Sequence, residues 1–256
     1  MTAYEKVQKA RSKGRLTSAD FIGAIFTDFT EMHGDRRFGD DKAIMAGVAL
    51  LYDIPVTVIG IEKGRDVKDK ARRNFGSAHP EGYRKALRQM KLAEKFGRPV
   101  VCFVDTSGAY PGIEAEERGQ AQAIAENLCE MMTLKTPIIS VIVGEGGSGG
   151  ALALSVADEI WMLENAVFSV ISPEGCASIL WKDAGKVKEA SECLKLTAVD
   201  LKKLGLIEKV IPENKSLFKN LKSDLLAVLE RNLALGTDEL MDNRYRRYRR
   251  IGVYNG

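Results

Sequence analysis

Cysteine and histidine are scarce in this sequence. Four cysteines and two histidines occur among 256 residues. Cys102, Cys129, Cys176 and Cys193 stand singly in apolar surroundings, without a C-x-x-C pair. This pattern favours neither a disulfide framework nor a zinc site. We therefore expect four buried free thiols and no bound metal.

Long apolar segments are also missing. No run of 18 apolar residues is present to span a membrane, and residues 1–6 lack the apolar core of a signal peptide. The sequence therefore predicts a cytoplasmic protein without a membrane segment. Its 256 residues, of which 45% are hydrophobic, can bury one large core. No domain linker or low-complexity run divides them.

The positive charge is unevenly distributed. The net charge of +3 is too small to indicate nucleic-acid binding by itself. One basic cluster contains Lys63, Arg65, Lys68, Lys70, Arg72 and Arg73, and a second contains five arginines within residues 244–250. The first cluster fits either an anion-binding or partner-binding surface or a solvated loop. For the second, a partner-docking or disordered tail is expected rather than a nucleic-acid site.

A glycine-rich stretch stands in the middle of the chain. Residues 141–143 are β-branched, residues 144–150 contain five glycines, and Ala/Leu-rich sequence follows. The pattern predicts a buried strand, a flexible turn and a helix. The first turn of a helix has N–H groups without intrahelical partners and carries the positive end of the dipole. We therefore expect this stretch to hold negative charge.

Several chemistries fit the same glycines. The spacing G-x-G-x-x-G from Gly144, with Glu164 twenty residues further on, is typical of a dinucleotide site. The spacing G-x-S-x-G around Ser148 is typical of a hydrolase nucleophile. An oxyanion hole formed by the amides of Gly149 or Gly150 is the third possibility. Tight packing alone is the fourth.

Periodicity and capping signals predict an alternating order of elements. Helices are predicted over residues 17–32, 81–96, 114–132, from 149, 173–181, 182–203 and 217–229; strands are predicted over 44–51, 56–61, 100–104, 138–143, 159–163, 167–171 and 206–211. Residues 236–256 are expected to lie outside the compact body.

Two consecutive strand–loop–helix units place two loops, residues 105–112 and 144–150, at the same edge of the sheet. Amides from the Gly108-Ala109 region and from Gly149 would then converge on one oxygen. This geometry favours the oxyanion hole, because a dinucleotide site leaves the first loop unexplained.

The hydrolase interpretation lacks a general base. A nucleophilic Ser148 requires one, and only His33 and His79 are available, both in polar loops. The oxyanion hole tolerates this lack of histidine if a substrate or cofactor takes the proton.

Longer motifs are shared with one enzyme family. They lie at residues 35–36, 40–43, 63–65, 72–76, 80–88, 108–112, 115–120, 144–153 and 169–181. Over roughly residues 18–213 the sequence resembles the alpha subunit of bacterial acetyl-CoA carboxylase carboxyltransferase. The resemblance implies an α/β, crotonase-like fold, a spiral of ββα units with N- and C-terminal helical additions. One domain over residues 1–256 is implied, with its core at about 18–213 and a helical extension over 214–256.

Members of that family work with a beta subunit, commonly as α2β2. They transfer a carboxyl group from carboxybiotin on the biotin carboxyl carrier protein to acetyl-CoA, giving malonyl-CoA for fatty-acid synthesis. The resemblance implies the same partners here, with ATP used only by the biotin carboxylase component and no metal in this chain. There are two alternatives. The chain could be a subunit of another biotin-dependent acyl-CoA carboxyltransferase, or a crotonase-fold serine hydrolase that uses Ser148.

The resemblance also assigns site residues. Gly149 and Gly150 would line an oxyanion hole on the biotin side, with Ala109 as a further donor. Substrate-binding positions are implied at Gly108, Tyr110, Gly146, Gly147, Lys63, Arg65, Arg72 and Arg73, the basic ones facing the phosphates of CoA or an acidic patch of the partner. The beta subunit would supply the other oxyanion hole, and biotin freed of its carboxyl group can take the methyl proton.

Two departures from the family pattern bear on these assignments. Ser107 stands where a proline is expected, so we expect a less rigid loop at Ala109. Many relatives begin with a further helical segment that this sequence lacks, so the contacts of that segment should be missing or replaced.

Overall fold

Eight strands form one mixed sheet in the computed structural model, which describes residues 1–253. The strands are β1 (Thr27–Glu31), β2 (Ile44–Leu51), β3 (Ile54–Ile61), β4 (Val100–Thr106), β5 (Ile138–Gly147), β6 (Glu159–Leu163), β7 (Val167–Ser169) and β8 (Lys209–Ile211). Their order is β1-β2-β3-β4-β5-β6-β8, and β7 pairs with the end of β5. Strands β1 to β3 are antiparallel, and every pairing from β3 onward is parallel.

Twelve α-helices lie within the described residues. They are α1 (Ala3–Ala10), α2 (Ser18–Ile25), α3 (Val67–Arg72), α4 (Pro80–Lys95), α5 (Ile113–Glu117), α6 (Gln120–Thr133), α7 (Ser148–Leu152), α8 (Pro173–Trp181), α9 (Val187–Cys193), α10 (Ala198–Lys203), α11 (Leu217–Leu233) and α12 (Thr237–Arg249). Among residues 1–253, none of the helices combines the length and the apolar character needed to cross a bilayer.

The centre of the sheet confirms the predicted parallel strands. Every residue of β4 is buried, as is β5 up to Gly146. Strands covered by helices on both faces have continuous apolar runs, and this is why the β-branched segments were recognisable. The β2–β3 hairpin and the start of α8, where Ser172 Oγ accepts a hydrogen bond from the Gly175 amide at 3.1 Å, also agree with the prediction.

Three predicted helices are wrong in extent. Helix α2 ends at Ile25, and the following residues form β1, which pairs with β2 through Thr30 and Val48. The spacing of Phe21, Ile25 and Phe29 suggested one long helix. It instead reflects a helix followed by an edge strand. The predicted helix over 114–132 is divided into α5 and α6 by Gly119, whose φ of 81° favours glycine. The stretch 182–203 likewise contains two short helices, α9 and α10.

The thiol prediction is half wrong. Cys102 and Cys176 are buried, whereas Cys129 and Cys193 are exposed. Both exposed cysteines lie on helices, α6 and α9, near apolar residues that do face the interior. Local apolar sequence therefore did not distinguish the two faces of these helices.

The C-terminal segment is part of the compact body, which corrects the expectation for residues 236–253. Helix α12 packs against α6 through Arg244, whose side chain is fully buried. Its guanidinium lies 2.7 Å from Asp158 Oδ1 and donates to the carbonyl oxygens of Met131, Leu134 and Thr136 at 2.6–2.9 Å. The arginine thus satisfies the carbonyl end of α6. Residues 254–256 of the predicted tail lie outside the described part of the chain.

Replacing Arg244 with alanine is expected to lower the free energy of unfolding by about 3–5 kcal/mol, because it leaves Asp158 buried without its partner. Chemical denaturation measures this change. Arg249→Ala, on the exposed side of α12, is the matched control and should change stability by less than about 0.5 kcal/mol. Equal effects of the two substitutions would show that α12 is not anchored by Arg244.

Candidate active site

The ends of β4 and β5 bring the two predicted loops together at one edge of the sheet. Thr106 at the end of β4 pairs with Gly146 in β5. The chain then continues from β4 into residues 107–112, and from β5 directly into α7. The glycine stretch is therefore mostly the last part of a strand, because residues 145–147 also pair with β7.

Close packing explains three of the glycines. A Cβ atom at Gly144 would lie 2.3 Å from Asp105 Oδ1, and one at Gly146 would lie 2.7 Å from the ring of Phe168. A Cβ atom at Gly147 would lie 2.2 Å from the carbonyl oxygen of Ser107. These glycines let β5 approach its neighbours, so their spacing is no evidence for a dinucleotide site.

Gly150 is the point at which three elements meet. A Cβ atom there would lie 2.5 Å from the amide nitrogen of Ala109 and 2.8 Å from the hydroxyl oxygen of Tyr83. It would also lie 2.9 Å from the carbonyl carbon of Gly108. No side chain fits this position, and the Gly108-Ala109 peptide therefore packs directly on the first turn of α7.

Three backbone amides at this junction have no hydrogen-bond partner in the described part of the chain. Within residues 1–253, the amides of Ala109, Gly149 and Gly150 donate no hydrogen bond to another protein group. Those of Gly149 and Gly150 belong to the first turn of α7, which has no side-chain cap. Such amides, fixed in place before the reaction, can stabilise an oxygen on which negative charge develops.

The loop that carries Ala109 is anchored on both sides. The amide of Tyr110 donates to the carbonyl oxygen of Ala78 at 3.0 Å, and the Tyr110 ring stacks on His79 with the ring centres 4.0 Å apart. On the other side, the Thr106 hydroxyl donates to the Gly108 carbonyl at 2.8 Å. The loop is therefore held in place although Ser107 replaces the expected proline.

A buried ion-pair cluster supports both strand ends. Lys63 Nζ lies 2.9 Å from Asp105 Oδ1 and 2.8 Å from Glu145 Oε1. Asp105 Oδ1 also accepts the backbone amide of Glu145 at 2.8 Å. Glu145 Oε2 lies 2.6 Å from Nε of Arg11, and Arg11 reaches Glu174 at the start of α8. Lys63 is thus an internal counter-ion that fixes β5 to β4.

The carboxyl groups of this cluster differ in their pKa. Burial raises the pKa of Asp105, since its desolvation outweighs the attraction of Lys63. Burial acts in the same sense on Glu145, but the charges of Lys63 and Arg11 outweigh it and lower the pKa of that carboxyl. The two carboxylates also raise the pKa of Lys63 despite its burial. Lys63 is therefore charged at neutral pH.

Cavities flank the junction on both sides. A polar cleft of about 480 Å³ is lined by Lys63, Arg65, Asp105, Ser107 and Glu145, among others. An apolar groove of about 330 Å³ lies on the other side, where Ser148 and Gly149 meet Leu152, Phe168 and Val170. The first two residues of α7, Ser148 and Gly149, thus border an open groove.

The structure separates the predicted basic residues. Lys63 and Arg65 line the polar cleft, and Arg65 forms an ion pair with Asp20. Arg72 and Arg73 do not line it, because both pair with Asp69 at 2.6 and 3.1 Å.

The structure offers no support for the hydrolase or dinucleotide interpretations. In the described part of the chain, Ser148 forms no hydrogen bond to a histidine, and His79 is engaged with Asn74 and the Tyr110 ring. Glu164 accepts the backbone amide of Glu213 at 2.8 Å, so its carboxylate has a structural partner.

The sequence is also similar to a known family. The model of the family described as acetyl co-enzyme A carboxylase carboxyltransferase-like matches residues 1–252. The chain belongs to this family. The resemblance carried by the shared motifs is therefore confirmed.

Two relatives within the family align with this chain over almost their whole length. An acetyl-coenzyme A carboxylase carboxyl transferase subunit alpha from Ruminiclostridium cellulolyticum is 64% identical, over 99% of both chains. The subunit of the same name from Streptococcus equi subsp. zooepidemicus is 54% identical, over 98% of this chain and all of its own length.

Solved structures confirm the crotonase-like fold of the family. The transcarboxylase 12S core has a TM-score of 0.70 at 19% identity. The alignment covers 85% of this chain and 42% of the transcarboxylase chain. One chain of a Pseudomonas malonate decarboxylase hetero-tetramer has a TM-score of 0.66 at 19% identity. The alignment covers 84% of this chain and 91% of the decarboxylase chain.

Sequence reasoning missed several residues at this junction. Asp105 and Glu145 were read as parts of loops, although their position beside the family's glycine motif was a usable signal. Arg11 directly follows the short helix α1, and nothing in its local sequence indicated a contact. Tyr83, within the shared motif at residues 80–88, was not recognised as part of the site.

Proposed function

We propose that this chain is the alpha subunit of an acetyl-CoA carboxylase carboxyltransferase. Together with a beta subunit it would transfer a carboxyl group from carboxybiotin to acetyl-CoA, giving malonyl-CoA. The observation that carries this proposal is the set of free amides at Ala109, Gly149 and Gly150, in a chain that is 64% identical to a subunit of that name. The proposed place of reaction is the cytoplasm.

The free amides suit the chemistry of carboxyl transfer. Biotin, bound to a separate carrier protein, supplies the carboxyl group. In the proposal, Gly149 and Gly150 donate hydrogen bonds from the start of α7 to the oxygen that becomes negative, and Ala109 donates from the facing loop. The packing at Gly150 fixes these amides in place, so that they need no rearrangement during the reaction.

The other assigned residues have supporting roles in the proposal. Gly146 and Gly147 bring β5 close to the loop, and Gly108 and Tyr110 form the opposite wall. Lys63 acts through its ion pairs and holds the two strand ends. In the proposal, the side chains of Arg65, Arg72 and Arg73 exchange their ion pairs with Asp20 and Asp69 for CoA phosphates or an acidic surface of the partner.

A second subunit is part of the proposal. This chain spans 42% of the transcarboxylase chain but 91% of one chain of a hetero-tetrameric decarboxylase. Its structural neighbours thus have a second half, either within the same chain or as a separate one. We propose an α2β2 assembly that also contacts the biotin carboxyl carrier protein, with ATP consumed only by biotin carboxylase.

Reconstitution tests the proposal. We expect the purified chain alone to produce no malonyl-CoA from acetyl-CoA and carboxybiotin, and the mixture with the beta subunit to produce it, measured by mass spectrometry of the CoA esters. Beta subunit alone is the control. Malonyl-CoA production by the lone chain, or none by the assembled complex, would contradict the proposal.

A further inference from the structure

Tyr83 lies beneath the junction of the two loops. It belongs to α4 and is fully buried, so its hydroxyl cannot touch a substrate. The hydroxyl oxygen and the amide nitrogen of Ala109 lie 2.8 and 2.5 Å from the point that a Cβ atom of Gly150 would occupy. Tyr83 is therefore adjacent to both sides of the proposed oxyanion hole.

The hydroxyl of Tyr83 has no hydrogen-bond partner among residues 1–253. A buried hydroxyl without a partner costs free energy, and phenylalanine would fill the same space without that cost. Stability therefore does not explain the oxygen atom at this position. Its place suggests a role in positioning the loop, because the oxygen and the Ala109 amide nitrogen both lie within 3 Å of the point that a Gly150 Cβ atom would occupy.

The peptide above Tyr83 lies between two anchored neighbours. Gly108 is held by the Thr106 hydroxyl, and Tyr110 is held by Ala78 and by Gln120, whose Nε2 donates to the Tyr110 carbonyl at 3.0 Å. The amide of Ala109 between them has no partner of its own. The tyrosine oxygen is the nearest side-chain atom to the point at which Gly150 meets this peptide.

We propose that Tyr83 is a positioning residue, whose hydroxyl oxygen acts as a spacer between α4 and the Gly108-Ala109 peptide. It sets the distance between the amides of Ala109 and Gly150. Without the oxygen the peptide would sink toward α4 and the two donors would no longer converge. This inference rests on the proposed function, because convergence of the donors matters only if an oxyanion forms between them.

Tyr83→Phe tests the inference in the complete complex with the beta subunit. We expect kcat for carboxyl transfer to fall roughly 10- to 100-fold, as for small displacements of catalytic groups. KM for acetyl-CoA should stay within about twofold, since substrate binding does not depend on this spacing. The melting temperature should be unchanged or higher. Tyr52→Phe, an exposed tyrosine in the β2–β3 turn, is the matched control.

Hydrogen exchange separates this inference from the proposed function. In the chain without its partner, we expect faster deuterium uptake over residues 107–112 in Tyr83→Phe than in the wild type or in Tyr52→Phe. If the wild-type complex did not transfer a carboxyl group, the proposed function would fail and the exchange result would still decide the positioning role. Unchanged kcat and unchanged exchange, or a parallel loss of stability and kcat, would overturn the inference.

Discussion

Replacing Gly150 with alanine is expected to lower kcat for carboxyl transfer by about 100- to 1,000-fold, the loss typical of removing an oxyanion-hole donor. The new methyl group would have to share space with the Ala109 amide, 2.5 Å away, and with the Tyr83 hydroxyl. Backbone atoms cannot rotate away as a flexible side chain can. The loop must therefore shift, which separates the donors of the proposed hole. Steady-state kinetics of the reconstituted complex measures the effect.

Two other glycines control for the substitution itself. Gly23→Ala, in α2, adds a methyl group where nothing lies within 4 Å, and should leave kcat unchanged. At Gly149 the added methyl would contact only Ile124, at 3.6 Å, so Gly149→Ala should lose less activity than Gly150→Ala. Size-exclusion chromatography with the beta subunit confirms assembly. Full activity of an assembled Gly150→Ala complex would show that the packing at Gly150 does not control the reaction.

Replacing Lys63 with methionine is expected to lower the free energy of unfolding by about 3–5 kcal/mol at pH 7. The substitution leaves Asp105 and Glu145 buried without the ammonium group that lies within 3 Å of both. Of these two carboxylates, only Glu145 has a further positive partner, Arg11. Chemical denaturation measures the loss, and Lys68→Met, an exposed lysine of α3, should change stability by less than about 0.5 kcal/mol.

The loss caused by Lys63→Met should depend on pH. Burial already raises the pKa of Asp105, and removal of the ammonium raises it further. The folded variant then binds a proton that the unfolded chain does not, so its stability falls as the pH rises through that range. The difference from the wild type should therefore shrink as the pH is lowered from 7.

A double-mutant cycle identifies the partner responsible. Asp105→Asn removes the most buried charge of this ion-pair cluster and keeps an acceptor for the Glu145 amide. In the Lys63→Met background it should restore part of the lost stability, whereas in the wild type it should destabilise. Additive, pH-independent effects would contradict the proposed coupling of these groups.

The central strands could be predicted because the local sequence alone indicates that they are buried. Strands β4 and β5 are buried on both faces, so they appear as continuous β-branched runs. The glycines marked where the second loop turns into α7, and parallel pairing placed the first loop beside it. The neighbourhood of Ala109 and Gly150 could therefore be anticipated from the sequence alone.

The remaining features depend on partners distant in sequence. Arg244 reads as one residue of an exposed basic tail, but Asp158 and the carbonyl end of α6, about 90 to 110 residues earlier, make it a buried anchor. Thr27–Glu31 continues the helical spacing of Phe21, Ile25 and Phe29, and it becomes a strand only because β2 offers an edge. Similarly, Lys63 belonged to a basic cluster in sequence and lies between two carboxylates in the fold.

The central claim is that backbone amides at the start of α7 and in the facing loop stabilise the oxyanion of carboxyl transfer. A crystal structure of this chain assembled with its beta subunit and bound biotin tests it most directly. We expect the amide nitrogens of Gly149 or Gly150, and of Ala109, to lie about 3 Å from the ureido oxygen. Amides that point away from biotin, or that are bonded to carbonyl groups of the protein, would contradict the claim.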